Sequence, residues 1–280
     1  MGQPDPHALT VVLTCKGRLH HLRQSLPRLT AHPGLRCIVV DYACPDRAGD
    51  WVRMHHPGVV VVQATEAGAF QIARARNLGA QAADTPWIGF LDADTLVGAG
   101  FLHEVCSAMR PGRYLVADPC PHELAGLLLC LRDDFVRLGG YDEVFEGWGS
   151  EDRDLAARLT RLGRTRAGLP SQGITVITHG DDERTRYHVI GDRFLSLRIN
   201  GMYFQIKNDL AQLARVIDLP PEVRRALYQR VRNRVLAQPD ATAWLDVTLP
   251  GGGDFTQPPG WRLARTIRYS FEPTAPATAP

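Results

Sequence analysis

Two carboxylates, Asp92 and Asp94, close the apolar stretch that begins at Trp87 in the segment WIGFLDADT. Side chains two residues apart on a strand share a face, so both can point into the crevice at the carboxyl end of a sheet, where open α/β folds bind ligands. Hard oxygen ligands of this kind suit Mg²⁺ or Mn²⁺. The pair therefore predicts a divalent-metal site, although aspartates are also common wherever strands turn into loops.

A second acidic segment lies downstream, where residues 139–162 read GGYDEVFEGWGSEDRDLAARLTRL. Leucines at helical spacing predict a helix that begins after Ser150, a natural N-cap residue. Glu151 and Asp152 then fall in the first turn, where acidic side chains can simply complement the helix dipole. That interpretation leaves Trp148 unexplained, because an aromatic residue between two glycines is typical of a sugar-stacking platform on a flexible hinge.

Further polar side chains follow other predicted strands. The turn after the first strand is polar and contains one glycine, so its cations can contact a nucleotide, although a plain surface turn explains it equally well. It is neither a Walker loop nor a dinucleotide-binding fingerprint, because the required glycines are absent. An aspartate ending the second strand can contact a base or ribose, and two arginines before the aspartate pair can reach a diphosphate or face solvent. These candidates are Thr14, Lys16, Arg18, Asp41, Arg74 and Arg76.

The elements that must position these side chains alternate in type along the first 180 residues. Short apolar runs alternate with segments of helical period, such as 72–83, which predicts an α/β fold with a mostly parallel mixed sheet flanked by helices. Strand signals fade after His179, and a stretch rich in helix formers follows. The predicted strands are 9–14, 37–41, 59–63, 87–92, 114–117, 127–131 and 174–178.

The change in composition divides the chain into three predicted parts. Residues 1–184 are expected to form the α/β domain that carries the candidate site, and 185–249 a helical C-terminal extension. Residues 250–280 contain a run of glycines and end in EPTAPATAP. We expect them to be a loop and a disordered tail.

Length and composition exclude several classes of protein. The chain has 280 residues, of which 44 % are hydrophobic and 22 % charged. This composition excludes a chain that is as a whole a disordered tail or a miniature disulfide scaffold. Its net charge of +2 argues against bulk attraction to nucleic acid or an anionic membrane. Lys16 and Lys207 are the only lysines among 32 basic residues, which fits either codon bias or arginines that clamp phosphate. The six cysteines are scattered, which predicts reduced thiols. The sequence shows no long apolar leader or membrane span, and together with the reduced thiols this predicts a cytoplasmic location.

The aspartate pair followed by GGYDEVFEGWGSEDRD resembles the metal-dependent glycosyltransferases of GT-A fold, especially the β-galactosyltransferase and chondroitin-polymerase type with its W-G-x-E-D signature. The resemblance spans 9–186, and its second motif is far more specific than the first. It implies that Asp92 and Asp94 bind the donor ribose and a divalent metal. It also implies that Trp148 lines the sugar pocket, that Asp152 is the general base and that Glu151 holds the acceptor.

The same resemblance implies a third metal ligand after the strand that follows the acidic helix, where the segment ITVITH ends at His179. Residues 181–184 would be a loop that orders over the bound nucleotide sugar, although a solvated charge run is also compatible with them. Ser150 stands where many relatives carry glycine, and Arg153 interrupts the acidic run. Both differences can alter the acceptor pocket.

The sequence thus predicts an inverting hexosyltransferase that moves a sugar from a UDP-sugar to an acceptor hydroxyl with Mn²⁺ or Mg²⁺. Asp152 favours inversion, because the related retaining N-acetylgalactosaminyltransferases typically have asparagine there. Three alternatives stay open: a retaining enzyme of that kind, a non-catalytic nucleotide-sugar binding module, and a nucleotidyltransferase, for which 14–18 is a poor pyrophosphate loop. No nucleic acid partner or membrane anchor is expected.

Overall fold

A computed structural model describes residues 6–65, 68–121, 124–238, 242–250 and 264–272. The strands are β1 (Leu9–Cys15), β2 (Arg36–Tyr42), β3 (Val60–Ala64), β4 (Trp87–Asp92), β5 (Thr95–Val97), β6 (Arg113–Asp118), β7 (Leu128–Leu131), β8 (Thr165–Pro170), β9 (Ile174–Val176), β10 (Ala243–Pro250) and β11 (Ala264–Phe271). The α-helices are α1 (Leu19–Thr30), α2 (Ala48–His55), α3 (Ile72–Gln81), α4 (Phe101–Ala108), α5 (Arg132–Arg137), α6 (Glu151–Arg161), α7 (Asp181–Thr185), α8 (Arg193–Leu213) and α9 (Pro221–Ala237).

The main sheet has seven strands in the order β3-β2-β1-β4-β7-β6-β8. Its pairs are parallel except where β7 runs antiparallel to both of its neighbours. All seven residues of β1 are buried, as expected for an apolar strand in the middle of a sheet that is covered on both faces. The predicted α/β class, with a mostly parallel mixed sheet and a helical C-terminal region, is confirmed.

Seven of the observed strands match the seven predicted ones within two residues at either end. The last of these, β9, lies outside the main sheet and pairs with β5 in a small antiparallel sheet. The edge position belongs to β8, which the sequence analysis did not predict. Its segment TRAGLP has no apolar run, and four of its six residues are exposed, because an edge strand buries little of its surface.

The C-terminal helices pack on the same body as the sheet. Helices α8 and α9 share a core with β10 and with Phe145, which lies just before α6. The expectation that 250–280 is only loop and tail is wrong for β11, which pairs antiparallel with β10 over eight residues. This hairpin also places a strand in the predicted helical extension. Composition gave no signal of it, because its pairing joins two segments separated by a glycine-rich stretch. Residues 251–263 and 273–280 lie outside the described residues, and the three-part division stays a prediction.

The six cysteines are free thiols, in line with the expected absence of a disulfide framework. Among the described residues, no helix combines the length and the apolar composition needed to cross a bilayer. The cytoplasmic location stays a prediction.

A buried ion cluster joins α8 to the region around α6. The Lys207 side chain is fully buried, and its Nζ donates to Asp142 Oδ2 at 2.8 Å and to Asp154 Oδ1 at 2.7 Å. Arg224 of α9 pairs with the other Asp142 oxygen at 2.8 Å. Burial raises the pKa of Asp142, but the charges of Lys207 and Arg224 outweigh it, so this pKa lies below its ordinary value. The acidic helix α6 therefore depends on a cation that α8 supplies.

We expect Lys207→Met to lower the free energy of unfolding by about 3–5 kcal/mol, because it removes one cation from a buried ion cluster and leaves its carboxylates incompletely neutralised. Urea denaturation at neutral pH measures this loss. The stabilisation by Lys207 shrinks as the pH falls below about 4, where Asp142 begins to protonate in the unfolded chain. Arg225→Met, at an exposed position on α9, is the control and should change the value by less than about 0.5 kcal/mol. Equal losses in the two variants would show that the cluster contributes nothing specific.

Candidate active site

A cavity of about 220 Å³ opens at the carboxyl ends of β1 and β4. Its walls are the loop after β1, the turn after β4, the loop and first turn of α6, and the segment from α7 onwards. This is the edge of an open α/β sheet where ligands are expected to bind. Eight of the predicted site residues line it: Thr14, Lys16, Arg18, Asp92, Asp94, Trp148, Glu151 and Asp152.

Arg76, on α3, lies beneath the acidic wall of this cavity with its side chain 1 % exposed. Its Nη1 donates to Asp152 Oδ1 at 2.6 Å and to Glu151 Oε1 at 3.1 Å, and its Nη2 donates to Asp92 Oδ1 at 2.9 Å. These contacts correct the expectation of a diphosphate contact. The guanidinium is covered by three carboxylates, so it serves as their shared counter-ion.

Asp152 has the environment of a proton acceptor. Burial raises the pKa of its carboxyl well above the ordinary aspartate value, and the neighbouring charge of Glu151 adds to the effect, whereas Arg76 opposes it. Tyr141 Oη also lies 3.1 Å from Asp152 Oδ1 and donates a hydrogen bond to it. The dipole at the start of α6 favours the ionised form, but burial prevails, and a raised pKa makes the carboxylate a stronger base.

Gly126 provides the space in which Asp92 and Arg76 meet. A Cβ atom at this position would lie 2.6 Å from Asp92 Oδ2 and 2.9 Å from Arg76 Nη2. Both distances are shorter than a side chain tolerates, so the pairing requires glycine here. The sequence analysis did not single out Gly126, because nothing in its neighbourhood marks a close approach from distant elements.

Asp94 has different partners from Asp92, although both line the cavity. His179 Nε2 lies 2.7 Å from Asp94 Oδ2, and Arg18 Nη1 lies 3.3 Å from the same oxygen. Burial, together with the charge of Asp92, raises the pKa of Asp94, while His179 and Arg18 oppose this. The structure thus brings two of the three predicted metal ligands together, Asp94 and His179. Asp92 is turned to Arg76 and belongs to the other acidic group.

The opposite wall of the cavity is cationic. Lys16 Nζ donates to the carbonyl of Gly68 at 2.9 Å, and Arg18 and Arg184 line the cavity beside it. Arg184 lies in α7, so the segment expected to be a loop over the nucleotide sugar forms a short helix next to the cavity. Burial and the charge of Arg193 lower the pKa of Arg184. Clustered cations of this kind suit a ligand that carries several negative charges.

Trp148 lines the cavity, in a loop that α8 holds in place. The backbone N–H of Trp148 donates to Ser196 Oγ at 2.6 Å. Its backbone carbonyl accepts hydrogen bonds from Ser196 Oγ at 3.1 Å and from Asn200 Nδ2 at 3.2 Å. The guanidinium groups of Arg184 and Arg193 lie 5.2 and 4.7 Å from the centre of the indole ring. The expected flexible hinge is therefore anchored to the C-terminal helices.

Ser150 occupies the N-cap position of α6 but does not cap it in the expected way. Its φ is +78°, and its side chain makes no capping hydrogen bond within the described part of the chain. A capping side chain reaches the first free amides from an extended backbone, which this left-handed conformation is not. The carbonyl of Ser150 still accepts from the Asp154 N–H at 3.0 Å and starts the helix.

Asp41 and Arg74 are the predicted contacts that lie away from the cavity. Asp41 is buried, and its two oxygens accept from the N–H groups of Cys44 and Gly49, both at 2.7 Å. It therefore holds the loop that follows β2, which corrects the expectation of a base or ribose contact. Arg74 is one-third exposed and pairs with Glu143 at 3.3 Å, because it projects from a different side of α3 than Arg76 does.

Two family models match this region. One, glycosyl transferase family 2, matches residues 10–127, and the other, the N-terminal domain of galactosyltransferase, matches residues 114–180. Among solved structures, the chain is similar to the mannosyltransferase PcManGT from Pyrobaculum calidifontis in complex with GDP-Man and Mn²⁺, with a TM-score of 0.55, 17 % identity, and coverage of 84 % of this chain and 77 % of that one. It is also similar to S. aureus TarS 1–349 in complex with UDP, with a TM-score of 0.55, 12 % identity, and coverage of 82 % and 72 %.

The chain has the GT-A fold of glycosyltransferases. This confirms the predicted resemblance. The two matched ranges overlap at residues 114–127, which lie between the two acidic motifs. Identities below 25 % to the solved structures make that likeness one of fold.

Two curated relatives illustrate the extent of the match. Human beta-1,4-galactosyltransferase 3 is 26 % identical over 171 residues, which cover 57 % of this chain and 39 % of the relative. The pre-mycofactocin glycosyltransferase of Mycobacterium tuberculosis is 26 % identical over 221 residues, which cover 65 % and 44 %. The chain therefore spans about two fifths of the length of these curated proteins.

Arg76→Met should lower the free energy of unfolding by about 3–5 kcal/mol, because the buried Glu151 and the partly buried Asp152 and Asp92 lose their common cation. Arg74→Met, two residues away on the same helix, removes a partly exposed pair and should cost less than about 1 kcal/mol. Urea denaturation of both variants makes the comparison. A loss at Arg76 no larger than that at Arg74 would contradict the role of Arg76 as a counter-ion.

Proposed function

We propose that the chain transfers a sugar from a nucleotide diphosphate donor, a UDP-sugar, to an acceptor hydroxyl with inversion at the anomeric carbon, assisted by a divalent metal ion. The observation that carries this proposal is the position of Asp152. A partly buried carboxylate of raised pKa shares one cavity with Asp94, which contacts His179, and with a group of cations. Such a transfer needs three parts: a base, a pair of metal ligands and a group of cations that binds an anion.

In the proposed reaction the acceptor oxygen attacks the anomeric carbon while the bond from that carbon to the diphosphate oxygen breaks. Asp152 accepts the proton of the acceptor hydroxyl as its oxygen becomes nucleophilic. Glu151, paired with the same Arg76, is held beside it and is assigned to the acceptor. Lys16, Arg18 and Arg184 face the leaving diphosphate.

The residues at Asp94 and His179 fit a divalent cation. A carboxylate oxygen and an imidazole nitrogen 2.7 Å apart are both recognised metal donors. Burial, with the nearby charge of Asp92, raises the pKa of Asp94, and a cation would favour its ionised form. Mn²⁺ or Mg²⁺ bound there would neutralise charge on the leaving diphosphate. The presence of Mn²⁺ with GDP-Man in one structural neighbour supports a metal, and UDP in another supports the uridine donor.

Trp148 is assigned to the sugar. Trp148 lines the same cavity as Asp152, and aromatic faces pack against the apolar faces of sugar rings. Arg184 and Arg193 lie near that indole, so sugar binding requires at least one face of the ring to be free of them. The acceptor in this proposal is a molecule that carries a hydroxyl group.

We expect Asp152→Asn to lower kcat by about 10²–10⁴-fold, the usual contribution of a positioned base, with little change in UDP affinity. Steady-state transfer rates and UDP titration measure the two quantities. For the wild type, kcat/KM should fall as the pH drops through a value well above 4, because burial raises the pKa of the group that must be deprotonated.

Asp133→Asn, at an exposed position on α5, is the matched control and should retain wild-type turnover. Near-normal turnover of a folded Asp152→Asn variant would remove Asp152 as the base. An acidic limb at or below pH 4 would contradict the assigned environment, and NMR of a product with retained anomeric configuration would contradict inversion.

A donor screen tests the substrate class. With Mn²⁺ present and no acceptor, slow hydrolysis of one or more of UDP-glucose, UDP-galactose and their N-acetyl forms is expected, and EDTA should abolish it. GDP-mannose serves as the comparison donor. Hydrolysis of GDP-mannose alone would overturn the uridine assignment, and UDP binding without any hydrolysis would favour the non-catalytic binding module.

A further inference from the structure

His21, in the first turn of α1, is a buried imidazole with an unused nitrogen. Its side chain is 3 % exposed, and its Nδ1 has no hydrogen-bond partner among the described residues. A buried polar atom without a partner is costly and calls for a ligand that would satisfy it. Neither the motifs nor the proposed reaction gives this side chain a role.

The unused nitrogen belongs to a side chain beside the carboxylate–histidine pair. One ligand atom from each of His21, Asp94 and His179 lies within 4.8 Å of the other two. The His21 and His179 rings lie 5.2 Å apart, centre to centre. Three elements therefore converge here: the start of α1, the turn after β4 and the segment after β9.

Glu183, on α7, stands behind the His21 ring. Its Oε1 lies 3.5 Å from His21 Nε2. Metal-bound histidines commonly direct their second nitrogen to a carboxylate, which fixes the ring and leaves the first nitrogen as the donor to the metal. At His21, Nε2 is the nitrogen nearer Glu183, within ion-pair distance and without a hydrogen bond, and Nδ1 has no partner among the described residues.

We propose that His21 is a third protein ligand of the divalent cation, which makes the site one carboxylate and two imidazoles. This inference rests on the proposed function, which places a cation at Asp94 and His179. Imidazole ligands suit first-row transition ions, whereas Mg²⁺ prefers oxygen. The site therefore takes Mn²⁺ or Co²⁺ in preference to Mg²⁺.

Arg18 is the charged group that meets this cluster from the loop after β1. Its Nη1 lies 3.3 Å from Asp94 Oδ2 and 3.2 Å from His179 Nε2. A guanidinium and a divalent cation compete for the same lone pairs, so metal binding displaces Arg18 from both atoms. Arg18 already lines the cavity, where the displaced guanidinium can meet an anionic donor.

Pulsed EPR of Mn²⁺ bound to the full chain with UDP counts the coupled nitrogen nuclei. We expect couplings from two imidazoles in the wild type and from one in His21→Phe, which keeps a ring of similar size without a ligating nitrogen. Isothermal titration should show the Mn²⁺ Kd of this variant raised by about tenfold or more, with a much smaller change for Mg²⁺. Circular dichroism checks that the variant is folded.

His20→Phe is the control, because the neighbouring His20 side chain is 57 % exposed and should leave the nitrogen count and both affinities unchanged. His20 also lies near His21 and Glu183, so a coupling lost in His20→Phe would place the ion elsewhere and overturn the inference. One coupled nitrogen in the wild type, or two in a folded His21→Phe, would overturn it too. The wild-type count requires no variant, so misfolding of His21→Phe leaves the test intact. If the wild type binds neither Mn²⁺ nor Mg²⁺ with UDP, the metal-dependent function itself fails.

Discussion

The single charge on Arg76 determines how the acidic side of the active site is built. Asp92 comes from the end of β4, and Glu151 and Asp152 come from the start of α6, yet all three contact one buried guanidinium. Carboxylates this close together and partly shielded from water would repel one another without a cation among them. Three negative charges against one positive leave a surplus, and that surplus, together with burial, raises the pKa of Asp152. The same ion pairs that hold the strand and the helix together therefore also define the environment of the carboxylate that we propose as the base.

Helix α6 is anchored from two directions. Its first two residues face Arg76, whereas Asp154, two residues further on, pairs with Lys207 and with Arg158. Helix α8 supplies Lys207 and also the Ser196 and Asn200 side chains that hold the loop around Trp148. The C-terminal helices are thus part of the framework of the site, even though neither of the two acidic motifs lies within them.

Much of this could be predicted from the sequence, and the errors have identifiable causes. Buried parallel strands are marked by apolar runs, so the predicted strands and the carboxylates that end β4 were recognised. Residue type alone does not tell which partner a charged group meets, so Arg76 was expected at a phosphate and is a counter-ion instead. Asp41 was likewise expected at a ligand, but backbone amides of its own loop use both oxygens.

Other features depend on approaches between segments far apart in sequence. Gly126 and His21 carry no local pattern, because their roles arise only where distant elements meet. The pairing of β10 with β11 was not predicted for the same reason. Ser150 shows the converse, since its type predicts a cap but the turn through Gly149, with a φ of +95°, sets its backbone in another conformation.

The position of Lys207 in the chain also has a consequence for biosynthesis. Asp142 and Asp154 precede it by 65 and 53 residues, so during translation both carboxylates leave the ribosome well before their cation does. Until α8 is made, Asp142 and Asp154 lack one of their buried cations. The sheet can form before α8 is made, but the loop around Trp148 and helix α6 gain their contacts with Ser196, Asn200 and Lys207 only when α8 has docked.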